Sequence, residues 1–371
     1  MKRRVRQADA SPASIRVSSM AVSTAAPPPG EIAPPADHAG ATRTWLSRLA
    51  EGRAWLFLIV LVLGFEVWSD LSFGQSFVLS SYNWQSIAVF AVAPLLLAVG
   101  QTFVIISGGI DLSTGFTMGL AAVIAAHVTN ITGQSLPEPL AVLCGVVAAV
   151  LVAGIPGFVN GLLISRLRIP PFIGTLGMYG VARGAAYLLA GGTTVPVSNG
   201  FFAELGNGRI WGVPYLVIIT AIFVLGMHYL LSQTRFGQHN YAIGANEQAA
   251  RRAGIDIKKH IVRLYVLSAM CSGLGGALYA ARFTAGAAQA GEPLLLDCIA
   301  AVVIGGASLF GGSGSIFGTV AGALVIAVIQ YGLVFVNVEP FWQFIAVGVV
   351  IIISVLIDQA QRRFSGARQD E

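Results

Sequence analysis

Charge is scarce in this 371-residue chain: Asp, Glu, Lys and Arg together make up 11% of it, against roughly 25% in a soluble domain. Lysine is scarcer still, present only at Lys2, Lys258 and Lys259. None of the three is followed by Ser or Thr. That excludes the G-x-x-x-x-G-K-[ST] loop of a nucleotide hydrolase, despite a "GGSGS" stretch at 311–315. Cysteine is limited to Cys144, Cys271 and Cys298, in or beside apolar segments and without C-x-x-C spacing, so neither a metal site nor a disulfide framework is signalled. No Ser-His-Asp, H-E-x-x-H or paired-carboxylate pattern emerges. The chain does not read as an enzyme, and no cofactor is expected.

Apolar residues fill the space. They form 55% of the chain, mean hydropathy is +0.75, and stretches near 20 residues recur along its length, which predicts an all-α, polytopic transmembrane helical bundle. Ten spans are expected: Ala54–Phe73, Gln85–Ser107, Leu112–Asn130, Leu140–Ser165, Phe172–Ala190, Val213–Ser232, Ile261–Ala281, a short Asp297–Leu309, Ile316–Val336 and Phe341–Asp358. They lie in one membrane domain, 46–361. Residues 1–45, rich in Ala, Ser and Pro without an apolar signal-peptide core, read as a disordered cytoplasmic tail, and 362–371 as a short second tail.

The net charge of +5 sits in short clusters between spans, which argues against nucleic-acid binding. Arg43, Arg48 and Arg53 precede the first span, Arg166 and Arg168 follow the fourth, a longer basic stretch follows the sixth, and Arg362, Arg363 and Arg368 follow the tenth. With ten spans all four clusters share one side, which the positive-inside rule makes cytoplasmic, together with both termini. Arg209 and Arg282 are isolated exceptions.

Three stretches carry the functional expectation. "VIISGGIDLSTGF" (104–116) interrupts an apolar run, and freed backbone groups at membrane depth are tolerated only inside protein or beside a water-filled cavity. Gly108 and Gly109 mark the break. Asp111 and Ser113 either cap the helix that restarts or touch a translocated solute. Gly305-Gly306 in "GGASLFGG" echoes Gly108-Gly109, as interrupted helices recur at matching places in duplicated transporters. Gly314, Gly318 and Gly322 beyond it have the spacing of close helix packing. The third stretch, "ANEQAARRAGIDIKKH", predicts a short charged helix over 245–253 with Gly254 behind it, either a solvated loop or a docking element. Of the other polar residues near spans, Glu66, His127, Arg183, His228 and Asp297, most are expected to snorkel from span ends.

"GQTFVIISGGIDLSTGF", "FIGTLGMYGVARGAAYLLAGG", "GANEQAARRAGI" and "LDCIAAVVIGGASLFGGSGSIFGTVAGAL" together resemble the ribose-type permeases of bacterial ABC sugar importers, in order, over about 85–358. The resemblance implies a permease subunit in the bacterial inner membrane that carries a monosaccharide. Its implied partners are a cytoplasmic ATP-binding subunit, a periplasmic sugar-binding protein, a second permease copy or paralogue, and membrane lipid. It also implies that Glu247, Ala249, Ala250 and Gly254 form the ATPase-coupling segment, similar to the family's E-A-A…G pattern, with Gln248 standing here between Glu and Ala. The glycine breaks, with Gly108, Gly109, Asp111, Ser113, Gly305 and Gly306, then border the translocation path. A proton-coupled secondary transporter, with Glu66 as its acidic candidate, and a non-transport scaffold are the other readings.

Overall fold

A computed structural model describes residues 45–339 and 341–366, with side-chain surroundings given for 52–339 and 341–356. The first expected tail falls outside the described residues except for Trp45 at its end, whereas residues 362–366 of the second, expected as tail, continue the last helix. The side chains of Arg43, Arg48, Arg362, Arg363 and Arg368 lie outside the described residues.

The fold is all-α. In chain order the helices are α1 (Trp45–Phe73), α2 (Ser81–Ile106), α3 (Thr114–Thr132), α4 (Glu138–Ser165), α5 (Pro171–Ala190), α6 (Gly200–Asn207), α7 (Tyr215–Gln233), α8 (Arg235–Ala245), α9 (Glu247–Arg252), α10 (Ile257–Phe283), α11 (Leu294–Ile304), α12 (Ile316–Phe335) and α13 (Phe341–Gly366). Each of the ten expected spans holds a helix. Among the described residues seven of these, α1, α2, α3, α4, α7, α10 and α12, are both long and apolar enough to cross a bilayer, and α11 and the 341–356 part of α13 are shorter apolar helices.

Burial separates the helices into centre and rim. Of the best membrane window, 83% is buried in α2 and only 17% in α1. An all-round apolar helix such as α2 belongs in the interior, whereas α1 turns Leu56, Ile59 and Leu63 outward, where hydrocarbon is the natural solvent. Small residues bring the central helices together. A side chain at Gly161 of α4 would meet Val262 of α10 at 2.6 Å, and one at Gly273 of α10 would meet Ala153 of α4 at 2.8 Å. Since lipid is as apolar as a leucine core, such close backbone approach is what holds helices together in a membrane. Gly318 and Gly322 act alike, pressing α12 onto Gly305 and Ala301 of α11.

Several boundaries differ from expectation for local reasons. α10 starts four residues early because Asp256 accepts from the Lys259 N–H at 3.1 Å and starts the helix. The eighth span is the 11-residue α11, which stops at Ile304 where the glycine pair turns the chain. Residues 191–214 are not a bare connection: they hold α6 and a short strand, β1 (Val195–Pro196), that pairs antiparallel with β2 (Ala285–Gly286), just beyond α10. The polar stretch after α7 contains two helices, α8 and α9, where one was expected.

Candidate coupling segment and helix-break junction

α9 is a six-residue helix closed at both ends by its own sequence. Asn246 accepts from the Ala249 N–H at 2.9 Å. At the other end Gly254 adopts φ +86°, its N–H donates to Arg251 O at 3.1 Å, and the Ile255 N–H reaches back to Ala250 O at 3.2 Å. This paired closure around a left-handed residue is the Schellman turn, and it favours glycine. Ala250 is buried with Ile243 and Ile257, so α9 is fastened to α8 and α10 by a small apolar cluster. Glu247 faces outward and pairs with Arg251 at 2.8 Å, both more than half exposed. Behind α9, the Lys259 N–H and ammonium hold the exposed Asp256 carboxyl below the usual carboxylate range.

The two glycine breaks use the same backbone device. After α2, Gly108 takes φ +81°, its N–H donates to Ile105 O at 2.9 Å, and the Gly109 N–H donates to Val104 O at 3.0 Å. After α11, Gly306 takes φ +90°, its N–H donates to Val303 O at 2.9 Å, and the Ala307 N–H donates to Val302 O at 3.1 Å. The conformational equivalent of Gly108 is therefore Gly306, one residue out of register with the sequence echo. Gly305 has another duty: a side chain there would strike Gly318 of α12.

Asp111 does not cap α3. Ser113 holds the cap position without a side-chain cap bond, and Asp111 Oδ1 accepts from the Ser113 N–H at 2.9 Å and its hydroxyl at 2.6 Å. The carboxylate closes the turn before the helix instead. The Asn160 amide of α4 then donates to Ser113 Oγ at 2.9 Å, and the Tyr265 hydroxyl of α10 donates to Ile110 O at 3.2 Å. Asn160 lies five residues before the end of α4 and Tyr265 eight residues after the start of α10. At 1.5 Å per residue the break is thus sunk about 8–12 Å into the bundle. A cavity of about 450 Å³ leads to it, lined by Gly108, Gly109, Arg168, Glu247, Arg251 and Tyr265 among others.

α8 joins these parts. Its Asn240 amide donates to Phe103 O of α2 at 2.9 Å, and its Tyr241 hydroxyl donates to Gly314 O beyond the second break at 2.7 Å. The Gly312 N–H donates to Ile106 O at 2.8 Å, linking one break to the other. Gly244 sits against both, since a side chain there would collide with Ile106 O and, at 2.5 Å, with Gly312 N. Sequence reasoning missed Gly237, Asn240, Tyr241 and Gly244, although their i, i+3, i+4, i+7 spacing marks one helix face.

The remaining polar residues separate by surroundings. Glu66 accepts from Ser76 Oγ and the Val78 N–H, both at 2.7 Å, and so closes the turn after α1. Asp297 does not snorkel: it is buried in α11 and accepts from the Gln330 amide of α12 at 2.8 Å. Among the described residues no cluster of His, Cys, Asp and Glu could hold a metal ion.

Comparison with known proteins agrees with this architecture. Residues 83–355 match the family model described as branched-chain amino acid transport system / permease component. The fructose import permease FrcC of Rhizobium meliloti is 34% identical over 316 residues, 82% of this chain and 85% of its own. The galactose/methyl galactoside import permease MglC of Haemophilus influenzae is 33% identical over 84% of this chain and 94% of its own. The ribose import permease RbsC of Escherichia coli (strain K12) is 35% identical over 86% and 99%. The chain therefore belongs to the non-enzymatic ABC-importer permease family that includes these sugar permeases, and it is a multi-pass protein of the bacterial inner membrane.

Proposed function

We propose that this chain is the membrane-spanning permease subunit of an ABC importer that carries a monosaccharide, driven by a separate cytoplasmic ATPase that docks on α9. A periplasmic sugar-binding protein delivers the solute at the opposite face, and a second copy or paralogue completes the pore. Both termini are then cytoplasmic, on the side of α9. The observation that carries this reading is the fastening of α8 to both glycine breaks, through Asn240, Tyr241 and the contact of Gly244 with Ile106 and Gly312. A push on α9 has a rigid route into the bundle, the requirement for a switch between inward and outward access.

The test is the double variant Glu247→Arg with Gly254→Val, which reverses an exposed charge and forces a β-branched residue into a left-handed position. Both sites lie outside the spans. We expect normal insertion together with at least tenfold loss of sugar uptake and of ATPase copurification; wild-type levels of both make the segment a solvated loop. A proton-coupled carrier finds one observation in its favour, the buried Asp297–Gln330 pair. A relay requires further titratable groups along a path, and Glu66 closes a turn instead of facing one.

A further inference from the structure

α5, 20 residues long, falls short of the apolarity of a membrane span, unlike the seven span helices above. The cause lies on one stripe. Tyr179, Arg183 and Tyr187 follow one another at intervals of four, so they stack along one side of the helix. Arg183 is exposed, its guanidinium carbon 5.3 Å from the centre of the Phe116 ring and 6.0 Å from that of Tyr187. Phe116, at the start of α3, is fully buried and meets the Tyr179 ring edge-on at 4.7 Å. The rings thus form an aromatic floor with a cation above it.

No carboxylate or hydrogen-bond acceptor among the described residues meets the guanidinium, and the Tyr179 and Tyr187 hydroxyls are likewise without a protein partner. Arg183 lies 12 residues from the first residue of α5 and seven from its last, about 18 Å and about 10 Å along the axis. An arginine at such depth faces water or protein, because hydrocarbon rejects it, and tyrosines on a lipid-facing surface gather near the interfaces. This side of α5 therefore does not face lipid. Beside the stripe, the sites of absent side chains at Gly180 and Gly184 are open, with nothing within 4 Å.

We propose that Tyr179, Arg183 and Tyr187 form a sugar-contacting station in the translocation path, an assignment that rests on the permease reading above. The rings present apolar faces to the C–H side of a pyranose or furanose. The guanidinium and the two phenols supply directional donors for neighbouring hydroxyls. Such a neutral polyhydroxylated ligand satisfies all three groups without a counter-charge. The contact is exposed and shallow, as a solute that must leave again requires.

The test uses the complete transporter, permease with its ATPase and binding protein, in proteoliposomes, with radiolabelled ribose, galactose and fructose as probes. For whichever sugar the wild type carries, Arg183→Gln is expected to lower maximal uptake at least tenfold. Arg183→Lys recovers part of it, and the Tyr179→Phe, Tyr187→Phe pair gives a smaller loss. Complex mass and basal ATP hydrolysis stay at wild-type values in all three. Unchanged uptake in Arg183→Gln overturns the assignment. So does loss of the second permease copy from that complex, which makes Arg183 an interface residue paired with a partner's acceptor. Wild-type vesicles that carry none of the three sugars overturn the monosaccharide reading itself, and this station with it.

Discussion

The two broken helices end in one backbone device and are then held in different ways. After α2 the chain is tied by side chains: Asp111 binds Ser113, Asn160 reaches in from α4, and Tyr265 reaches in from α10. After α11 the corresponding turn is closed by its own residues, with the buried Ser308 accepting at Oγ from the Phe310 N–H at 3.1 Å and donating its own N–H to Ser313 O at 3.0 Å. The first break is reached by side chains of α4 and α10, although Gly108 itself is exposed, while the second is tied to α8 through the Tyr241 hydroxyl on Gly314 O. A left-handed glycine ends a helix in either setting, but only buried polar partners hold the turn in one place.

The largest effect is expected where the two breaks meet. Gly244→Val places a side chain into Ile106 O and Gly312 N at once, and backbone cannot move aside as a side chain can. We expect a loss of about 3 kcal/mol or more, at the upper end of overpacking costs, read as a drop in thermal midpoint of the detergent-solubilised protein. A loss below about 1 kcal/mol means the junction is loose and the breaks move independently.

Next comes the contrast between the turns themselves. Asp111→Ala strands the buried Ser113 N–H and hydroxyl and is expected to cost about 2–3 kcal/mol. Asp111→Asn keeps an acceptor and recovers most of that. Ser308→Ala removes the acceptor of the Phe310 N–H and is expected to cost about 1 kcal/mol. Equal losses at the two positions remove the distinction between a turn tied from other helices and one closed by its own residues.

The smallest effect tests the bond that links the helices flanking the breaks. Thr102 of α2 and Thr319 of α12 share a hydrogen bond at 2.7 Å, but each hydroxyl also has a carbonyl of its own helix, Ala98 O and Ser315 O. Thr319 is therefore not orphaned in Thr102→Val. A shift below about 1 kcal/mol in the same measurement is expected, and a larger one makes this pair part of the junction.

Much of this arrangement is legible in the sequence because its causes are local. Hydropathy requires long helices, glycine pairs end them, and Gly254 ends a short helix whatever surrounds it. Less legible were the residues whose meaning depends on a distant partner. Asp297 and Glu66 look alike as lone acids near span ends, yet one is buried against Gln330, 33 residues away, and the other closes its own turn. α8 stayed hidden because polar residues and two glycines on a helix face read as loop until the surfaces they fit are known.

The sequence by itself determined a polytopic helical bundle, the position of its breaks and the family to which it belongs, because burial in lipid and backbone hydrogen bonding act residue by residue along the chain. Only the tertiary structure decided that both breaks converge on α8, that Asp111 closes a turn instead of capping a helix, and that Arg183 of α5 lies over the Phe116 ring of α3. These depend on contacts between segments up to about two hundred residues apart, such as Thr102 with Thr319, and no local pattern encodes which surfaces will meet.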